Sequence, residues 1–184
     1  PAVALLFSGK RKSGKDYVVA KLEKMLGEMN CEVLRLSGPL KRQYAIEHNL
    51  DFDKLLDSSS YKEQFRSDMI TWGEAKRQAD PAFFCNLATK EATKPIWIIS
   101  DARRKTDLAY FCTKYKTVHV RVTASEKTRA LRGWSFATGV DDAESECGLD
   151  NESFDIIVDN DGDAQILQKT LQKLMQIAQA ELNS

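Results

Sequence analysis

The run Ser8-Gly9-Lys10-Arg11-Lys12-Ser13-Gly14-Lys15-Asp16 holds the densest chemistry in the chain. It follows the apolar stretch Val3–Phe7 and precedes a helical pattern from about Tyr17, so it reads as strand, glycine loop, helix. The spacing Gly-x-x-x-x-Gly-Lys is that of a phosphate cradle, with Asp16 where Ser or Thr normally stands. The glycines let the backbone wrap closely, so that its N–H groups converge on phosphate oxygens. The helix that follows adds the positive end of its dipole. Lys15 would reach the β- and γ-phosphates of a nucleotide. Lys10, Arg11 and Lys12 add three cations, which suits two highly anionic substrates; a solvated basic turn is the alternative, above all for Lys12.

A second cluster, Ser100-Asp101-Ala102-Arg103-Arg104, follows the apolar Ile96–Ile99. Asp101 stands where an acid is needed to hold Mg²⁺ directly or through water. Arg103 and Arg104 would lie beside the transferred phosphate. Cations at a helix start oppose its dipole, so this pair points to an anionic ligand. Asp16 is the other metal candidate, and as a first-turn acid it also suits its helix. Arg129 and Arg132 are three apart and share a helix face before a long polar stretch. They read as lid arginines that close over reacting phosphates, with plain surface cations as the alternative. The acidic run Asp141, Asp142, Glu144, Glu146 and Asp150 reads as a solvated face. Lys41, Arg77 and Arg121 are weaker cationic candidates. His48, His119, Trp72, Trp97 and Trp134 read as structural.

The elements that must position these residues alternate. Strands are expected at Val3–Phe7, Cys31–Leu36, Ile96–Ile99, Val118–Val122 and Phe154–Val158. Helices fall between them, with a long one starting at the Ser60/Glu63 capping pattern after a polar break at 57–60. Another runs from Asp80-Pro81 to about Ala92, and Gly139–Asn151 is expected as loop. Five strands alternating with helices imply an α/β fold, a five-stranded parallel sheet in a three-layer α/β/α sandwich. Right-handed crossovers then bring every strand's C-terminal end to one edge, where ligands bind. The whole chain, 1–184, reads as one kinase domain with a mobile lid at 129–151.

The chain has 184 residues, with 27 Lys+Arg against 27 Asp+Glu, so its formal net charge is zero. That disfavours general nucleic-acid binding, which shows net basicity. No apolar run approaches the ~20 residues of a membrane span, and no signal-peptide pattern stands at the N-terminus. Cys31, Cys85, Cys112 and Cys147 are scattered and read as reduced thiols. A cytosolic monomer acting on a small molecule is expected; peroxisomal association stays open, although Glu181-Leu182-Asn183-Ser184 carries no peroxisomal tripeptide. A nucleotide switch protein is disfavoured by the absence of an Asn-Lys-x-Asp motif. The residues alone give a Mg²⁺-dependent kinase of a small anionic acceptor, and do not separate nucleoside monophosphates from other acceptors.

Longer words in the chain separate them. Leu6-Phe7-Ser8-Gly9-Lys10-Arg11-Lys12-Ser13-Gly14-Lys15-Asp16, Leu34-Arg35-Leu36-Ser37-Gly38-Pro39-Leu40-Lys41, Lys76-Arg77-Gln78-Ala79-Asp80-Pro81 and Arg132-Gly133-Trp134 resemble the animal phosphomevalonate kinases. So does the segment from Gly139 to Asn151, and the resemblance covers nearly the whole chain. It implies a P-loop fold like that of nucleoside monophosphate kinases, with Asp16 normal for the family. It implies transfer of the γ-phosphoryl of ATP to 5-phosphomevalonate with Mg²⁺, in the mevalonate route to isoprenoids and sterols; a nucleoside monophosphate kinase is the alternative. By the same resemblance Lys15, Arg103, Arg104 and Arg132 are catalytic. Gly9, Lys10, Arg11, Lys12, Ser13, Gly14, Lys15, Asp16, Arg129, Arg132 and Asn160 hold the nucleotide. Arg11, Lys41, Arg77, Arg103, Arg104 and Arg121 face the acceptor, and Asp16 and Asp101 the metal. The chain departs from its relatives at Asn86, where they carry Arg.

Overall fold

A computed structural model describes residues 1–56 and 60–184, so the expected break at 57–60 falls mostly outside the described residues. The chain divides into two compact units: residues 1–34 with 92–184, and residues 35–91.

The first unit is built on five parallel strands: β1 (Val3–Gly9), β2 (Cys31–Leu34), β3 (Ile96–Ile99), β4 (Thr117–Thr123) and β5 (Ile156–Asp159). Their order across the sheet is β2-β3-β1-β4-β5. The sequence supports a parallel sheet because β1 and β3 are apolar at successive positions and buried on both faces. Val3, Leu5 and Phe7 point to one face, where they pack with Val18 and Leu22 of helix α1 (Lys15–Leu26) and with Leu171 and Leu174 of the C-terminal helix (Ala164–Leu182). A further helix, Lys105–Lys114, follows β3 and packs on β1.

β4 alternates Val118, Val120 and Val122 with polar residues, yet it is no half-wet strand. It lies between β1 and β5, and its His119 and Arg121 are buried. His119 meets the Ser8 hydroxyl through Nε2 at 3.0 Å and the Ser153 carbonyl through Nδ1 at 3.0 Å. Burial depresses its pKa, which favours the neutral ring. The neutral tautomer that satisfies both contacts carries its proton on Nδ1 and accepts from Ser8.

The second unit is helical: α2 (Ser37–His48), α3 (Phe52–Leu56), α4 (Ser60–Ala79) and α5 (Phe83–Thr89), numbered on from α1. The long helix begins at Ser60 as its capping pattern predicts. α3 carries too short a pattern to register in sequence, and α2 starts at Ser37, with Pro39 in its first turn where a missing N–H costs nothing. Tyr44, Ala45, Leu55 and Met69 form the core of this unit with Leu40, Phe65 and Trp72. The Tyr44 hydroxyl donates to Asp68 at 2.5 Å, and burial first, then that carboxylate, pushes its pKa up to about 12.

Candidate active site

The glycine loop joins β1 to α1 at the C-terminal edge of the sheet, beside the loop after β3. Gly14 has φ +83°, and a Cβ there would come within 2.2 Å of Asn160 Nδ2. Only glycine fits that backbone against that neighbour. Lys12 also takes a left-handed conformation, φ 64°, a strained choice for a side-chain-bearing residue. The loop is closed by a turn from the Ser13 N–H to the Lys10 carbonyl at 3.0 Å.

Gly9, Lys12, Gly14, Lys15, Asp16 and Arg103 share the wall of one cavity of about 390 Å³, together with Lys10, Arg11 and Arg121. Lys15 is its electrostatic centre. Burial and then Arg103 push the Lys15 pKa down, while Asp101, Asp16 and Glu146 pull it back up. Two of those three acids are the residues singled out for the metal. Asp101 is buried at the end of β3 and Asp16 is exposed on the first turn of α1. Among the described residues no three His, Cys, Asp or Glu side chains form a metal cage. Such a donor set, two carboxylates beside a phosphate cradle, fits Mg²⁺, which keeps waters and substrate phosphates as its other ligands. A cavity of about 440 Å³ shares Gly14 and Tyr17 and is lined by Arg132 and Asn160.

Arg103 and Arg104 sit just before the helix Lys105–Lys114. The dipole problem raised by their charge is met locally: the Asp107 carboxylate accepts their backbone N–H groups at 3.1 and 3.0 Å. The Ala102 N–H donates to the Phe7 carbonyl at 3.2 Å, pinning this loop to β1.

Arg129 and Arg132 lie at the end of a short helix, Glu126–Leu131, and both turn toward the loop. Arg132 donates to the carbonyls of Lys12 (3.2 Å), Ser13 (3.0 Å) and Asn160 (2.6 Å). Asn160 in turn donates from Nδ2 to the Ser13 carbonyl at 2.9 Å. Arg129 is buried, with its guanidinium over Trp134 at 4.2 Å.

The acidic run is where sequence reasoning fails. It contains a helical turn, Glu144–Cys147, and three of its acids lie against cations instead of water. Asp141 is buried and takes Arg11 at 2.9 Å. Glu146 accepts the backbone N–H of Arg11. Asp150 pairs with Lys10 at 2.6 Å and with the buried Arg121 at 2.5 Å. Composition alone marks such a run as solvated; the one available signal was the excess of cations in the loop, which has to be compensated somewhere in a chain of zero net charge. Arg11, then Trp134, hold the Asp141 carboxyl well below the usual range, against its own burial. Partial burial lowers the Lys10 pKa, but Asp150 and then Cys147 outweigh it, and the net shift is upward.

Lys41 and Arg77 belong to the second unit. Arg77 donates to Glu74 at 2.8 Å and lies over the Phe84 ring at 4.8 Å. Burial, then Lys62, lowers the Lys41 pKa.

A glycine loop between the first strand and first helix of an all-parallel sheet, with a lysine facing acids and an arginine at the strand ends, defines a P-loop kinase. Solved structures share the fold: TT1252 from Thermus thermophilus has a TM-score of 0.60 at 16% identity, covering 96% of this chain and 97% of that one. A gluconokinase from Sinorhizobium meliloti 1021 has 0.51 at 14%, covering 97% and 95%. The model of the phosphomevalonate kinase family matches residues 7–117. Phosphomevalonate kinase of Drosophila melanogaster is 41% identical over 166 residues, 85% of this chain and 87% of its own. The chain belongs to the phosphomevalonate kinase family.

Proposed function

We propose that this protein transfers the γ-phosphoryl group of ATP to (R)-5-phosphomevalonate, giving (R)-5-diphosphomevalonate and ADP, in the mevalonate route to isoprenoids and sterols. An oxygen of the acceptor's phosphate attacks the γ-phosphorus, and the bond from that phosphorus to the β,γ-bridging oxygen breaks, leaving on ADP. The observation that carries the reading is the convergence of Asp16, Asp101 and Arg103 on Lys15 in a glycine loop, in a chain of this family.

Little covalent chemistry falls to the protein, which must position charges and oppose repulsion. The backbone from Gly9 to Asp16, including Ser13, would cradle the ATP phosphates, with Lys15 against the β- and γ-phosphates. Arg132 and Asn160, which line the neighbouring cavity, and Arg129 serve the nucleotide side. Arg103, Arg104 and Arg11 would neutralise the moving phosphoryl group, and Lys41, Arg77 and Arg121 the acceptor. Asp16 and Asp101 would hold Mg²⁺, whose charge draws the phosphates together. The segment 129–151 is assigned as the lid, and the enzyme as a cytosolic monomer.

A coupled ADP-release assay tests the acceptor. Phosphomevalonate should stimulate ATP consumption far beyond AMP, CMP, UMP or dTMP. Equal stimulation by any of these nucleotides would make the protein a nucleoside monophosphate kinase and end the proposal.

A further inference from the structure

We propose that Asp141 is a positioning residue for the reaction, holding Arg11 and the 134–141 turn in one fixed arrangement. Its side chain is only 6% exposed. Four N–H groups converge on its two oxygens: Arg11 Nη2 at 2.9 Å and Nε at 3.4 Å, Trp134 Nε1 at 3.0 Å, and the Ala137 backbone at 2.7 Å. Its own backbone is fixed as well. The Asp141 N–H donates to the Ala137 carbonyl at 3.0 Å, and its carbonyl accepts from the Cys147 thiol at 2.9 Å.

A charged group that far from water is retained only when its partners are complete. Here they are drawn from both sides of the site. Arg11 belongs to the phosphate loop, and Trp134 and Ala137 to the segment that follows Arg132. The circuit closes on itself: Arg129 stacks on Trp134 at 4.2 Å and directs Nη1 at the Arg11 carbonyl, 3.5 Å away. Arg11 Nη2 is spent on Asp141 and on the Ser135 carbonyl at 3.0 Å, while Nη1 has no partner among the described residues. Asp141 therefore fixes the plane of a guanidinium whose remaining edge is left for an anion. A planar, forked cation gains most from such orientation, because its hydrogen bonds to phosphate are directional. Both Asp141 oxygens are taken by protein N–H groups, so it acts through Arg11.

This inference rests on the reading of Arg11 as a substrate ligand, and a double-mutant cycle separates the two. Arg11→Met, Asp141→Asn and the double variant are compared in KM for ATP and phosphomevalonate, in kcat, and in Kd for ADP by calorimetry. Arg11→Met should impair at least one of these constants about tenfold, by raising a KM or Kd or lowering kcat, the scale of one charge-assisted contact. Asp141→Asn should impair the same constant by a similar factor, and the double variant should be no worse than Arg11→Met alone. Asp141→Glu keeps the charge but displaces the guanidinium, and it should obey the same non-additivity; it carries the test if Asp141→Asn does not fold. Normal constants in Arg11→Met would overturn both readings. An impaired Arg11→Met on which Asp141→Asn multiplies in full would overturn the positioning role alone.

Discussion

Asp150 lies 2.6 Å from Lys10, across 140 positions of sequence, and its second oxygen takes the buried Arg121 at 2.5 Å. One carboxylate thus ties the phosphate loop to β4. Arg121 is only 8% exposed at its side chain, so without Asp150 it would be left as a charge in a poorly hydrated place. Asp150→Asn should cost about 1–3 kcal/mol of stability, read by urea unfolding. Pyrophosphate, an anion able to meet the same cations, should restore more stability to the variant than it adds to the wild type. A variant of unchanged stability would show that the pair contributes nothing, and a loss that pyrophosphate does not selectively restore would show that it does not come from cations left without an anion.

Lys15 should separate stability from activity. Burial depresses its pKa, so the folded protein binds its proton less readily than the unfolded chain does. Its charge is then a cost to the ligand-free fold that is full below the folded pKa, shrinks as pH rises from the folded to the unfolded value, and is gone above the latter. Lys15→Met should raise the Tm by a few degrees at neutral pH, with the gain shrinking toward strongly alkaline pH. The same change should lower kcat by on the order of 10²–10⁴, the scale of a lost transition-state charge contact. A near-normal kcat would refute the catalytic assignment, and a lowered Tm would refute the electrostatic one.

Asp16 is to be judged by magnesium titration of activity. If its carboxylate helps hold the ion, Asp16→Ala should need roughly tenfold more Mg²⁺ for half-maximal rate. Asp16→Ser, which supplies the hydroxyl found in other phosphate loops, should fall between the two. One shared titration curve for all three proteins would leave Asp16 as a helix-start residue.

The site divides by how local its determinants are. Gly9 to Asp16 was legible because the loop needs its residue types at fixed spacing, and β3 because Ile96–Ile99 is short and apolar throughout. Asp101 and Arg103 were legible from their place directly after the third strand. Asp141, Glu146 and Asp150 were not legible, because nothing near them in sequence distinguishes an acid facing water from one facing a cation 130 or more residues away. His119 reads as structural and is buried, as is Arg121, but their partners were not legible: residues 150–154 lie against that face of β4, and the polar groups there satisfy both side chains. The pattern of a strand records which positions are polar, and only the fold decides whether their partners are water.

The close pairing of acids from the 141–150 segment with Lys10, Arg11 and Arg121 also governs what an approaching anion feels. A cation with a carboxylate a few ångströms away is a small dipole, and its field fades faster with distance than that of a bare charge. Beyond the ~8–10 Å over which salt already screens, this loop therefore exerts little pull despite its basic sequence. These three cations then add little to substrate arrival. The association rate constant for ATP should change far less with ionic strength than it does for proteins that gather ligands through an open positive funnel.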